Sequence, residues 1–135
     1  MTIRASRGEL GEAAAYRTEL RRFLHRSDAV AAEAGLTPRR YDLLLMIASA
    51  GELRVTELCR VLHLQQTAVT ELVKRTEDAG LVRRRVSADD RRVSLLSLTA
   101  EGERRLLRAF SALRQDREAL AEAFREVDRR FRATS

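Results

Sequence analysis

The sequence predicts a mainly α fold with one small β-hairpin. Apolar residues recur at helical spacing along most of the 135-residue chain. The one proline, Pro38, and the glycines at 35, 51, 80 and 102 interrupt that pattern where helices would end or begin. Only the stretch GLVRRRVSADDRRVSLLSLT, Gly80 to Thr99, departs from it, with two short apolar-containing runs around a polar turn.

The elements follow in order. A first helix over about 9–33 carries Leu10, Ala13, Leu20, Leu24 and Ala31 as a stripe, with Ala34 just beyond, and stops at Gly35. Thr37-Pro38 then pairs a capping hydroxyl with a proline at the first helical position. Tyr41, Leu44, Leu45 and Ala48 follow at i, i+3, i+4, i+7, so the second helix is expected to bury that face before Gly51. A short third helix covers about 56–62, turns inward Leu58, Val61 and Leu62, and ends in a tight turn at His63-Leu64. A fourth runs over about 66–79 with Val69, Leu72, Val73 and Thr76 inside. Its other face holds Gln66, Thr67, Thr70 and Lys74. Two strands, 81–86 and 93–98, flank SADDRR, and Thr99 caps a last helix of about 100–131. That helix reads as nearly continuous. Leu106, Phe110, Leu113, Leu120, Phe124, Val127 and Phe131 alternate in steps of four and three, with Arg117 at the missing place. Thirty-odd residues would project roughly 45 Å, more than one small domain covers, which points to a partner subunit. In such a seam Arg117 needs a carboxylate partner or an edge position.

Composition narrows the function. At 44% hydrophobic and 34% charged, the chain is globular, and its length suits one ordinary domain with a core. A net charge of +6 favours an anionic partner, while 4% aromatic content argues against stacking platforms for single strands. Lys74 is the only lysine; the other basic residues are arginine, whose planar fork suits phosphates and guanine edges. A lone cysteine, Cys59, excludes an internal disulfide and fits a reducing cytosol; its expected role is core packing. The N-terminus has no apolar signal segment and no run is long enough to span a bilayer, so the expectation is a cytoplasmic protein without a membrane partner. His25, His63 and Cys59 have no metal-site spacing, no cofactor is implied, and no nucleophile-elbow, phosphate-loop or metalloprotease motif suggests an enzyme.

The region from Arg83 to Arg92 packs five arginines and two aspartates into ten positions. Helix, tight turn, helix and basic hairpin together form a winged helix-turn-helix. A helix fits the major groove of duplex DNA, and a cationic hairpin beside it meets the phosphates or the narrow minor groove. Asp90, Arg92, Leu96, Leu98 and Thr99 fit the pattern D-x-R-x-x-x-L-x-L-T. With GLTPRRYDLLLMI, VTELCRVLHLQQTAVTELVKRTEDAGLVRR and the LTAEG junction, the segment of about 36–102 resembles the MarR (multiple antibiotic resistance) regulators. The resemblance implies a homodimer joined by its first and last helices, binding a pseudo-palindromic double-stranded operator as a repressor and released by a small phenolic or aromatic ligand. It divides the chain into a dimerisation helix at 1–35, a DNA-binding lobe at 36–99 and a second dimerisation helix at 100–135, within one compact domain. Gln65, Gln66, Thr67, Thr70 and Lys74 would face the major groove; Arg84, Arg85, Arg91 and Arg92 would meet backbone or minor groove, with Asp90 orienting Arg92. A ligand cleft would be lined by Tyr16, Leu20, Phe23, Tyr41 and Leu45, which are equally good core residues. Glu71 departs from the basic residue that many relatives carry there, and is expected to point away from the DNA. The alternative from another class is a non-catalytic ligand-sensing or protein-interaction module with a basic surface.

Overall fold

The computed structural model describes residues 4–133. Its elements are α1 (Arg7–Glu33), α2 (Pro38–Ala50), β1 (Leu53–Arg54), α3 (Val55–Leu62), α4 (Gln66–Asp78), β2 (Val82–Val86), β3 (Ser94–Leu98), α5 (Ala100–Ala112) and α6 (Arg114–Arg132). They form two compact units. One joins α1 as far as Val30 to the chain from Ala112 onward; the other runs from Ala31 to Ser111. The sequence-based divisions at 35 and 99 thus fall inside the second unit.

In that second unit, α2 begins as its sequence predicts. The Thr37 hydroxyl accepts the Arg40 N–H at 3.2 Å and Pro38 takes the first position. The buried face matches the expected one only in part, at Tyr41 and Leu44. Tyr41, Leu43, Leu44 and Ile47 are buried, Leu45 is half-buried and Ala48 is exposed. The run LLLMI is apolar on every side, so periodicity could not orient it; packing against α3, α4, β1 and β3 does. Leu58 of α3 and Val69, Val73 and Thr76 of α4 complete the layer. Thr76 is a buried polar residue whose hydroxyl donates to the Leu72 carbonyl at 2.7 Å. The turn between α3 and α4 hinges on His63, in the left-handed conformation at φ 53°.

The hairpin is part of a larger sheet than expected. β1 adds a third antiparallel strand, in the order β1-β3-β2, with Leu53 opposite Leu96 and Arg54 opposite Leu95. Two residues carry too little alternation to read as a strand, so no pattern in the chain marks it. β2 and β3 pair Val82 with Leu98 through Val86 with Ser94. Alternation then puts Val82, Leu96 and Leu53 on the core face and Arg83, Arg85, Leu95 and Arg54 on the other. The hairpin is fastened at its base. The Thr99 hydroxyl donates to the Gly80 carbonyl at 2.6 Å and accepts the Gly102 N–H at 3.1 Å, while the Thr99 N–H donates to the Leu81 carbonyl at 3.1 Å.

The single long last helix is corrected: it is two helices. Leu113, at φ −96° and ψ 5°, leaves helical geometry and starts α6. No proline or glycine marks the place, and the heptad of apolar residues runs across it. The break divides the expected ~45 Å rod into pieces of about 20 and 28 Å, and it falls where the second compact unit gives way to the first. Within the first unit, Tyr16 meets Phe124 edge-to-face at 5.3 Å and Arg26 pairs with Asp116 at 3.6 Å. A groove of about 570 Å³ lies between α1 and α6, with Phe23, Leu120 and Val127 in its lining.

Candidate nucleic-acid interface

The outward face of α4 is exposed and chemically open. Gln65 is the cap residue, and Gln66, Thr67, Thr70 and Lys74 all reach solvent. Among the described residues their side chains make no hydrogen bond or ion pair, so their donors and acceptors remain available to base edges. The opposite side is fixed by Val69, Val73 and Thr76, which are fully or almost fully buried. Glu71, which interrupts this polar row, is held by Arg75 at 2.5 Å, one turn away. That pairing draws its carboxylate toward the side of α4 bearing Arg75.

The hairpin tip is a closed turn. Ser87 N–H donates to the Val93 carbonyl at 2.9 Å, Val93 N–H to the Asp90 carbonyl at 3.0 Å, and Asp89 N–H to the Ser87 hydroxyl at 3.2 Å. Asp90 binds Arg92 twice over: its carboxylate accepts the Arg92 backbone N–H at 3.0 Å and the Nε at 3.2 Å. These bonds, the backbone one first, hold the Asp90 carboxyl below its ordinary value. The Arg92 side chain is nonetheless 91% exposed, so the turn steadies a guanidinium that projects into solvent. Arg91 is exposed beside it.

The other two wing arginines sit differently. Arg85 is clamped by Glu52 through two 2.7 Å bonds across β3. That bidentate pair lowers the Glu52 carboxyl and raises the Arg85 guanidinium from their ordinary values. Arg84, on the core-facing side of β2, reaches Glu77 of α4 at 3.6 Å. Both charges are partly compensated inside the fold. Sequence reasoning missed Glu52, because the strand that brings it beside Arg85 was not visible. It also passed over Arg83, which is exposed and, among the described residues, makes no ion pair.

The proposed ligand-lining residues lie in both units. Tyr16 is engaged with Phe124, Leu20 is 41% exposed and Phe23 lines the α1–α6 groove. Tyr41 is buried and Leu45 half-buried on α2. Cys59 is half-buried on α3 and borders a small cleft with Gln66 and Thr70. Among the described residues no three His, Cys, Asp or Glu side chains cluster as metal ligands, and no helix is long and apolar enough to cross a membrane.

Comparison with known proteins agrees with this geometry. Residues 34–93 match the family model described as the MarR family. The HTH-type transcriptional repressor MdtR of Bacillus subtilis is 36% identical over 69 residues, 51% of this chain and 44% of MdtR. This chain therefore aligns with less than half of that relative. Among solved structures, AbsC of Streptomyces coelicolor, a MarR family transcriptional regulator, superposes with a TM-score of 0.72 over 98% of this chain and 99% of its own, at 21% identity. A mutant of E. coli MarR, solved in complex with operator DNA, gives 0.69 over 78% and 76%, also at 21% identity. Residues 34–93, which hold the helix-turn-helix and the first strand of the wing, are thus similar to the MarR family, and the fold is that of solved MarR family regulators.

Proposed function

We propose that the chain regulates transcription by binding a specific double-stranded DNA sequence as a homodimer in the cytoplasm. The observation that carries the reading is the open polar face of α4 beside a hairpin tip that projects Arg91 and Arg92. Gln65, Gln66, Thr67, Thr70 and Lys74 read the major groove, and the tip arginines, steadied by Asp90, meet backbone or minor groove. Arg84 and Arg85, tied to Glu77 and Glu52, contribute mainly by shaping the wing. The likeness to MarR solved with operator DNA supports the same assignment.

Dimerisation is supported by the first unit. Leu10, Leu20 and Leu24 of α1 are 41–47% exposed on the isolated chain, and the neighbouring groove is floored by Phe23, Ala119, Leu120 and Val127. A second copy covers these apolar surfaces and places two reading helices about 34 Å apart, which suits a pseudo-palindromic site. The likeness to the repressor MdtR favours repression as the output.

The test is duplex binding measured by fluorescence anisotropy on a selected sequence and on scrambled controls. Arg92→Ala is expected to weaken binding to every sequence by a similar factor. Gln66→Ala is expected to change which sequence is preferred. Wild-type protein without affinity for any duplex in dilute buffer overturns the reading; two variants that bind as wild type overturn the residue assignment.

A further inference from the structure

The polar row of α4 is bordered by an apolar hollow. There α3 and α4 enclose a cleft of about 140 Å³ lined by Val55, Thr56 and Cys59 of α3 and by Gln66, Val69 and Thr70 of α4. Helical spacing builds it. Val55 and Cys59 stand about one turn apart on α3, as Gln66 and Thr70 do on α4, so each helix contributes a pair from one face. Val69 is buried, Val55 and Cys59 are half-buried, and Thr56, Gln66 and Thr70 are exposed, so an apolar interior opens to a polar rim.

Three features of the cleft select its occupant. No charged side chain lines it, whereas the adjoining cleft between α3 and the wing, which shares Val55 and Thr56, is lined by Arg84 and Arg92. A phosphate would find no counter-charge here, while an apolar group meets valine and thiol walls. Its volume is below the roughly 300 Å³ at which ordinary small-molecule sites begin, yet ample for a methyl group, close in size to a water molecule of about 30 Å³. Gln66 and Thr70 belong both to the cleft and to the face that meets base edges, so what enters it comes from the same major groove. The apolar substituent that bases show in that groove is the pyrimidine C5-methyl: thymine carries it, uracil and cytosine lack it, and 5-methylcytosine regains it. We infer that the α3–α4 cleft takes up the C5-methyl group of a pyrimidine, so that one position in each half-site is read by the presence of that methyl. The inference rests on the reading of α4 as the base-contacting helix and adds a recognition element supplied partly by α3. Hydrogen bonds from Gln66 and Thr70 are the same for thymine and uracil, and for cytosine and its 5-methyl form, so an apolar cleft supplies a distinction that they do not. Where the site holds a cytosine at that position, binding becomes sensitive to DNA methylation.

The experiment scans the selected duplex by fluorescence anisotropy, replacing each thymine in turn by deoxyuridine and each cytosine by 5-methyldeoxycytidine, on both strands. Each exchange removes or adds one methyl and leaves every hydrogen-bonding group in place. For wild type, one position per half-site is expected to respond, with about four-fold weaker binding on loss of a thymine methyl or about four-fold tighter binding on gain of a cytosine methyl. The arm that responds identifies the base. Cys59→Leu fills the cleft and is expected to abolish that response or reverse its sign, and Val55→Ala, which removes part of the apolar wall, is expected to shrink it; melting temperatures check the fold of both. Should Cys59→Leu fail to fold, Val55→Ala decides by the same ratio. A scan in which no methyl alters wild-type affinity, with specific binding intact, overturns this inference alone. A response of wild-type size in the folded variants also overturns it, because the methyl then lies against another part of the protein. A wild type that binds no duplex overturns it together with the DNA-binding reading.

Discussion

Gly102 is the point where the wing, α4 and α5 depend on one contact. It lies in the first turn of α5, where most residues would be tolerated. A Cβ built there would stand 2.0 Å from the Leu81 carbonyl oxygen and 2.9 Å from its carbon. An ordinary carbon–oxygen contact is about 3.3 Å, so Gly102→Ala requires a shift of roughly 1.3 Å. The atoms it must move are backbone, and Leu81 is fully buried. The same carbonyl accepts the Thr99 N–H at 3.1 Å, so relief of the overlap also weakens that bond. Overpacking costs about 1–3 kcal/mol and the bond about 1 kcal/mol, while alanine returns up to about 1 kcal/mol of helix propensity. The net is a loss of about 1–4 kcal/mol, which lowers the melting temperature by roughly 4 °C per kcal/mol for a domain of this size. Thermal and urea unfolding followed by circular dichroism measure it. Gly8→Ala is the control, since its added Cβ meets only the Ser6 hydroxyl at 3.6 Å. If Gly102→Ala melts with wild type, the packing of α5 on the base of the hairpin is not as described. A variant that remains folded is also expected to bind duplex DNA less well, because the contact sets where the wing stands relative to α4.

The carboxyls of Glu52, Asp90 and Glu122 lie below their ordinary values of 4.5, 3.8 and 4.5, each through hydrogen bonds from arginine. Because the folded values are depressed, their stabilisation is complete above the ordinary values and is lost as pH falls through the folded ones. Urea midpoints are expected to hold at neutral pH and decline in acid, with Glu52→Gln giving a shallower decline; an identical acid profile for that variant removes Glu52 from the account. The same substitution releases Arg85 and is expected to strengthen non-specific duplex binding a few-fold at low salt, an effect that high salt should erase. Leu20→Glu combined with Leu24→Glu is expected to yield monomers in sedimentation velocity with the helix-turn-helix unit still folded; persistence of a dimer would mean that another surface joins the copies. Thr37→Ala removes the cap on Arg40 and is expected to cost about 1 kcal/mol in urea unfolding.

Local chemistry made much of this protein legible in its sequence. Thr37-Pro38 announces α2, Gly80 announces the end of α4, and Thr67 and Lys74 stand on the face away from Val69 and Val73 because a helix repeats about every 3.6 residues. The pairing of Asp90 with Arg92 was legible too, since two residues in one turn can hardly avoid each other. Other features depend on groups far apart in the chain. The clamp of Arg85 by Glu52 joins positions 33 residues apart through a two-residue strand that no pattern reveals. The face that α2 buries was settled by its neighbours, because its run LLLMI is apolar on every side, and no residue type marks the break at Leu113. Sequence determines what each segment can form by itself. Which charges are neutralised and which stay free is decided only when distant residues meet, since electrostatic partnership depends on distance in space.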